Sequence, residues 1–258
     1  MGGSDVRGEE EPAETGGDHR ASGATDSVDR AIEAFRAGEP ICVHDADDRE
    51  GETDILYPAT AVDPDALAQL RNDAGGLVCV ALAADVADAA DLPYYVDAVE
   101  HPATMTGATA YGDRPSFSLT VNHSGTYTGI TDEDRALTIS ELGGFAADVA
   151  DGALGGGDGT LADPTDAFAE EFRVPGHVHL LRAAPELLDE RRGHTEFAVA
   201  LAEEAGIPPA VVVCEMLDDA SGEELSVAGA REYADRHDIP FLEGEDVVGA
   251  LQRDTERR

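Results

Sequence analysis

A β-branched, apolar run, Ile41-Cys42-Val43, leads directly into residues 44–54, which read His-Asp-Ala-Asp-Asp-Arg-Glu-Gly-Glu-Thr-Asp. The run predicts a short strand, and the strand delivers six acids and one arginine to its end. Within the loop, Glu50, Glu52 and Asp54 occupy alternate positions, which an extended segment places on one side. Carboxylate oxygens are the natural ligands of Mg²⁺, an ion that takes one or two protein groups when a phosphorylated substrate supplies the rest. The stretch therefore reads as a divalent-metal and sugar-phosphate site.

Composition supplies the competing explanation. The chain carries 55 acidic against 17 basic residues in 258, a formal net charge of −38, and lysine is absent, so every basic residue is an arginine. Hydrated carboxylates on this scale suit a protein dissolved in concentrated salt, where counterions screen self-repulsion, and acids in a loop can be no more than solvation. The same charge argues against nucleic acid or an anionic membrane as a partner. No apolar stretch approaches the span of a bilayer and the N-terminus lacks a basic region followed by a hydrophobic one, so a soluble cytoplasmic protein is expected. Cys42, Cys79 and Cys214 each sit within apolar runs, as buried hydrophobes rather than disulfide or zinc partners.

Residues 1–26 hold almost nothing apolar and are expected to be a disordered acidic tail, leaving 27–253 as the folded domain. Ser27 is a candidate N-cap for a first helix that Gly38 stops. Asp63-Pro64 opens a second helix, residues 77–82 form a buried strand, and residues 116–121 alternate as a half-buried one. Residues 85–115 show no firm period. Thr131 and Asp134 have capping-box spacing before a third helix, and residues 152–166 read as a surface loop. Pro175-Gly176 reads as a turn feeding a strand, residues 191–196 feed another helix closed by Gly206, and residues 210–215 form a buried Val/Cys strand. Two helices, 226–237 and 243–251, flank an Ile239-Pro240-Phe241 connection. Strands and helices alternate irregularly with no repeat, which predicts a single α+β domain, a mixed sheet with helices packed around it.

Two further features carry chemistry. Arg191, Arg192, Gly193, His194 and Thr195 stand at a helix start, where free N–H groups, the helix dipole and guanidinium donors make an anion site. There His194 can also turn a ring nitrogen to a metal, although Gly-His-Thr at a helix start also reads as a plain N-cap. His177 and Glu215, each at a strand edge, are suited to moving protons on and off a sugar carbon if the fold brings them together.

Five segments in this order resemble one family, 3,4-dihydroxy-2-butanone 4-phosphate synthase. They are residues 48–54, residues 128–139 with Thr128-Gly129-Ile130, Asp134-Arg135 and Thr138-Ile139, residues 175–178, residues 191–196, and Cys214-Glu215. The resemblance spans roughly residues 28–252, and with the acidic tail and missing lysines the chain looks like a haloarchaeal, monofunctional riboflavin-pathway enzyme. It implies conversion of D-ribulose 5-phosphate to L-3,4-dihydroxy-2-butanone 4-phosphate and formate, by a homodimer with sites near its interface. It implies two Mg²⁺ ions per site, with Mn²⁺ as an alternative, Glu50 binding both and His194 one. Substrate contacts fall to Arg49, Glu50, Asp54, residues 191–195 and Glu215, with His177 and Glu215 as the catalytic pair. Further candidates are Glu52, which with Asp54 can position a base, Arg135 and Thr138 near the phosphate, and Cys79. Asp45, Asp47 and Asp48 are assigned to surface and turn. The chain departs from the family at His44-Asp45-Ala46, at Thr131-Asp132 and across residues 101–114. Rival readings are another Mg²⁺-dependent pentose-phosphate aldolase or isomerase, and a non-catalytic sugar-phosphate-binding module.

Overall fold

The computed structural model describes residues 17–45, 51–104, 114–155 and 161–255, with side chains described from residue 26 to 253 within those ranges. Its helices are α1 (Gly17–Arg36), α2 (Pro64–Asp73), α3 (Ala84–Ala89), α4 (Tyr95–Ala98), α5 (Asp132–Ala150), α6 (Pro164–Glu171), α7 (His194–Ala205), α8 (Val227–His237) and α9 (Gly244–Thr255). Its strands are β1 (Ile41–His44), β2 (Thr53–Pro58), β3 (Cys79–Leu82), β4 (Phe117–His123), β5 (Phe172–Arg182), β6 (Ala210–Glu215) and β7 (Phe241–Glu243). They form one mixed sheet in the order β4-β5-β3-β6-β2-β1-β7. β5 and β3 pair parallel, as do β1 and β7, and the other neighbours are antiparallel.

The central strands do not alternate in burial. Every residue of β1, β2 and β3 is buried, and so is β6 up to Glu215. Both faces are therefore covered, which is why the sequence shows continuous apolar runs instead of a period of two. Helices α1, α7 and α9 pack together over one face, with α7 against β3 and β6. Helices α2, α5 and α8 cover the other, and α2 is tied to β2 and α8 by hydrogen bonds from Tyr57 Oη to Gln69 Oε1 (2.5 Å), Gln69 Nε2 to Tyr233 Oη (2.8 Å) and Tyr233 Oη to Asp73 Oδ2 (2.9 Å).

Helix α7 is the element that aims the site. Phe197 and Leu201 are 1% exposed, and truncating a leucine so placed to alanine costs about 2–5 kcal/mol. At its C-terminus Gly206 takes φ +67°, and Arg36 from α1 donates Nε to the Ala205 carbonyl at 2.9 Å. With that end anchored, the helix start points at the ends of β1, β2 and β6.

Several boundaries differ from the sequence reading. Helix α1 begins at Gly17, not behind a Ser27 cap, because no proline interrupts the chain between Pro12 and Pro40 and helical hydrogen bonding can extend into weakly apolar sequence. Residues 1–16 lie outside the described residues. The unpatterned region yields two short helices, α3 and α4. Phe241 belongs to a seventh strand, β7, since three residues suffice at a sheet edge beside β1. Pro175-Gly176 is no turn before a strand but lies inside β5, where residues 174–177 bulge between the pairs Asn122↔Arg173 and Val121↔Val178. A Cβ on Gly176 would lie 1.8 Å from the Val121 backbone carbon, so the close strand approach there requires glycine.

Candidate active site

The turn between β1 and β2 is closed at its neck. Asp45 N donates to Glu52 O (3.1 Å), Gly51 N donates to Asp45 Oδ1 (2.8 Å), and His44 Nδ1 lies 3.0 Å from Glu52 O. A carbonyl only accepts, so this ring nitrogen carries the hydrogen. Asp45 is 2% exposed, which corrects its assignment to surface: its carboxylate is a buried brace of the turn. Arg49 and Glu50 lie outside the described residues, whose nearest neighbours in the chain, Asp45 and Gly51, are bonded to each other beside Glu52.

Three chains of consequence meet at this end of the sheet. Asp54 in β2 faces Glu215 in β6 across the antiparallel ladder, and directly opposed residues share a sheet face. The start of α7 brings His194 over the same spot, with Nδ1 2.5 Å from Glu52 Oε1. Ligand atoms of Glu52, Asp54 and His194 all lie within 4.8 Å of one another. Asp54 is 2% exposed and its Oδ2 has no hydrogen-bond partner among the described residues. Burial first, then the charges of Glu52, Glu215 and Asp45, push its carboxyl well above the ordinary range, against the opposing pull of His194. A buried carboxylate oxygen without a donor, among other acids, is the environment that a divalent cation neutralises.

The neighbouring anion site is built by α7 itself. Gly193 is the N-cap and provides no side-chain cap, and the Glu196 N–H in the first turn meets its own carboxylate. Thr195 is fully buried and its Oγ1 has no partner among the described residues. Arg191 is largely buried against Glu196 and Ser116, whereas Arg192 is exposed and donates Nε to the Leu188 carbonyl at 3.4 Å.

Comparison with known proteins decides what this arrangement belongs to. The family model for 3,4-dihydroxy-2-butanone 4-phosphate synthase matches residues 29–250. The chain belongs to the 3,4-dihydroxy-2-butanone 4-phosphate synthase family. A synthase from Methanosarcina mazei is 45% identical over 237 residues, covering 88% of this chain and 92% of its own. One from Archaeoglobus fulgidus is 46% identical over 229 residues, covering 85% and 92%. A solved structure of 3,4-dihydroxy-2-butanone 4-phosphate synthase in complex with two magnesium ions is similar at TM-score 0.69 and 28% identity, over 88% of this chain and 96% of that one. The α+β fold expected from sequence is the fold of these synthase structures.

The remaining candidates occupy distinct places on this synthase fold. His177 is exposed on the β5 bulge, where its N donates to Asn122 Oδ1 at 2.8 Å and its Nδ1 lies 3.2 Å from the same oxygen. Strand β3 separates β5 from β6, so roughly 10 Å of sheet lies between the strands of His177 and Glu215. One chain therefore does not join them by a hydrogen bond. Thr138 is fully buried, accepting from His123 N (2.9 Å) and donating to Asp134 O (2.9 Å), so its hydroxyl is engaged within the fold. Arg135 pairs with Asp132 at 3.0 Å, and Asp132 also pairs with Arg71 at 3.0 Å. The Cys79 thiol is buried and pushed up to about 12, chiefly by desolvation, so it carries no thiolate at neutral pH.

Sequence reasoning passed over Asn122, Ser116 and Glu196 as site residues. Glu196 had a signal: it is the third residue after a helix N-cap, where a carboxylate commonly has a structural task. Asn122 and Ser116 had none, since their partners His177 and Arg191 are 55 and 75 positions away.

Proposed function

We propose that this chain carries out the synthase reaction on D-ribulose 5-phosphate at the junction of Glu52, Asp54, His194 and the α7 N-terminus, giving L-3,4-dihydroxy-2-butanone 4-phosphate and formate for riboflavin biosynthesis. The observation that carries the reading is the buried Asp54 oxygen, without a donor among the described residues, beside Glu52 and His194 at a helix start that has no side-chain cap. Two carboxylates and an imidazole fit Mg²⁺, as two ions with Glu50 as a further ligand, and also fit Mn²⁺. When bound there, the metal supplies Lewis acidity toward the oxygens of the ketose.

The protein groups divide the remaining work. The first-turn N–H groups of α7, with Arg191, Arg192, Gly193, His194 and Thr195, bind the phosphate. Arg49 and Asp54 contact the sugar hydroxyls. His177 and Glu215 take the C3 proton and return protons as water leaves, the skeleton shifts and C4 departs as formate. The water lost in dehydration is regained at cleavage, so five carbons enter and leave as four plus one.

His177 reaches such a site most simply in a homodimer assembled near this end of the sheet. The β5 bulge and adjoining loop expose Val174 (52%), Tyr127 (97%) and Ile130 (54%), apolar surface suited to a second copy. Residues 27–253 act as one cytoplasmic catalytic domain, and the acidic surface adapts it to high salt, so that the thermal midpoint falls as salt is diluted.

The test is incubation of purified protein in molar salt with ribulose 5-phosphate and Mg²⁺, followed by formate assay, with His177→Ala and Glu50→Ala alongside. Formate from the parent and about 10²-fold or greater loss in both variants is expected. No formate from the parent removes the function, an isomerase or aldolase product replaces it, and full activity in either variant removes that residue's role.

A further inference from the structure

Arg191 does not stand at the anion site unaided. Its Nη1 lies 3.2 and 3.1 Å from the two carboxylate oxygens of Glu196, and it also donates to Ser116 Oγ. Glu196 is completely buried, and its Oε1 accepts from Ala184 N at 3.0 Å. Ser116 just ahead of β4 is thereby joined to the first turn of α7 and to Ala184 just beyond β5, although Ser116 and Arg191 are 75 positions apart. The guanidinium is the cationic partner of this buried carboxylate, with Nη1 3.1 Å from Oε2.

A glutamate three residues after an N-cap commonly reaches back to the N-cap N–H. Here the N-cap is Gly193, and the Glu196 carboxylate accepts from Arg191, from Ala184 N and from its own N–H. The carboxylate therefore fixes where the arginine sits relative to the helix start. Arginine's planar fork has little tolerance for displacement once its anion contacts are set.

We propose that Glu196 is a positioning residue of the phosphate subsite: it holds the Arg191 guanidinium beside the uncapped α7 N-terminus and, with Ser116 and Ala184, sets that subsite's geometry. The proposal rests on the reading of residues 191–195 as the phosphate contact. Substrate affinity, more than turnover, depends on Glu196.

The experiment compares the parent with Glu196→Gln, Arg191→Ala, their double variant and Ser116→Ala, in molar salt with Mg²⁺. It reads KM and kcat for ribulose 5-phosphate and the inhibition constant of inorganic phosphate. Glu196→Gln keeps an acceptor for Ala184 N but removes the charge, so KM and the phosphate constant rise about tenfold while kcat stays within about threefold. In the Arg191→Ala background the same substitution adds nothing, because two members of one interaction do not add. Additive losses, or an unchanged phosphate constant in Glu196→Gln, overturn the proposal. If Glu196→Gln does not fold, Ser116→Ala decides: a rise of about threefold that disappears in the Arg191→Ala background supports it, and no change overturns it. An unchanged phosphate constant in Arg191→Ala itself overturns the phosphate-site reading first.

Discussion

The β2 end of the sheet and the loop between β4 and α5 each hold an aspartate, and the two carboxyls are driven in opposite directions. Asp134 accepts from Tyr127 N (3.2 Å), Thr128 N (3.0 Å), Thr128 Oγ1 (3.1 Å) and Gly129 N (2.8 Å). These donors, Thr128 N foremost, lower its carboxyl to about 2. Asp54 has burial and three neighbouring acids, and is raised. In a chain with 55 acids the difference is one of surroundings: donors make Asp134 a finished brace, whereas Asp54 Oδ2 meets no donor among the described residues.

Asp54→Asn gives the sharpest test of that contrast. Formate production should fall about 10²–10³-fold or more, while the metal-free protein should melt no lower than the parent, since a neutral amide replaces a buried carboxyl among other acids. Loss of both activity and metal-free stability would make Asp54 an ordinary structural carboxylate like Asp134. Mg²⁺ is the next lever. At about 100 times its Kd it should stabilise the parent by about 2.7 kcal/mol, and a melting series with His194→Ala should show most of that gain gone. An equal gain in that variant would move the metal away from the Glu52, Asp54 and His194 cluster.

The smallest effect belongs to Asp134→Asn. A carboxyl lowered from 3.8 to about 2 contributes stability that is complete above pH about 4 and disappears as pH falls through about 2. The variant should lose a few degrees of thermal midpoint at neutral pH, and the difference from the parent should close in acid. A difference independent of pH would deny that the charge matters there.

Much of the fold was legible because local chemistry and tertiary packing agree. Asp63 caps α2, accepting from Ala66 N at 2.8 Å, with Pro64 as its first residue, and Gly206 closes α7. The β6 strand has the bounds that its Val/Cys run implies. The Thr131–Asp134 capping box was half legible. Thr131 Oγ1 accepts from Asp134 N at 3.1 Å, but the Asp134 carboxylate turns to the preceding loop. Gly129 permits that turn with φ +86°, and a Cβ there would meet the Asn122 amide at 2.1 Å.

The site was legible as a set of residues and not as a map. Spacing alone brought Glu52 and Asp54 to one side of an extended segment, and the strand register keeps them there. Spacing could not say that Glu52 lies against His194, that Asp45 is buried, or that His177 stands two strands from Glu215. Those relations depend on strand order and on the bulge in β5, which place together or apart residues separated by tens of positions.

The amino-acid sequence by itself determined the principal helices and buried strands, the family and the inventory of acids, arginines and histidines, because propensity, capping and apolar runs act over a few neighbouring residues. Only the tertiary structure decided which acid is desolvated beside other acids and which is bathed in donors. The two aspartates are the same residue type, and they differ through burial and partners, both properties of the packed chain.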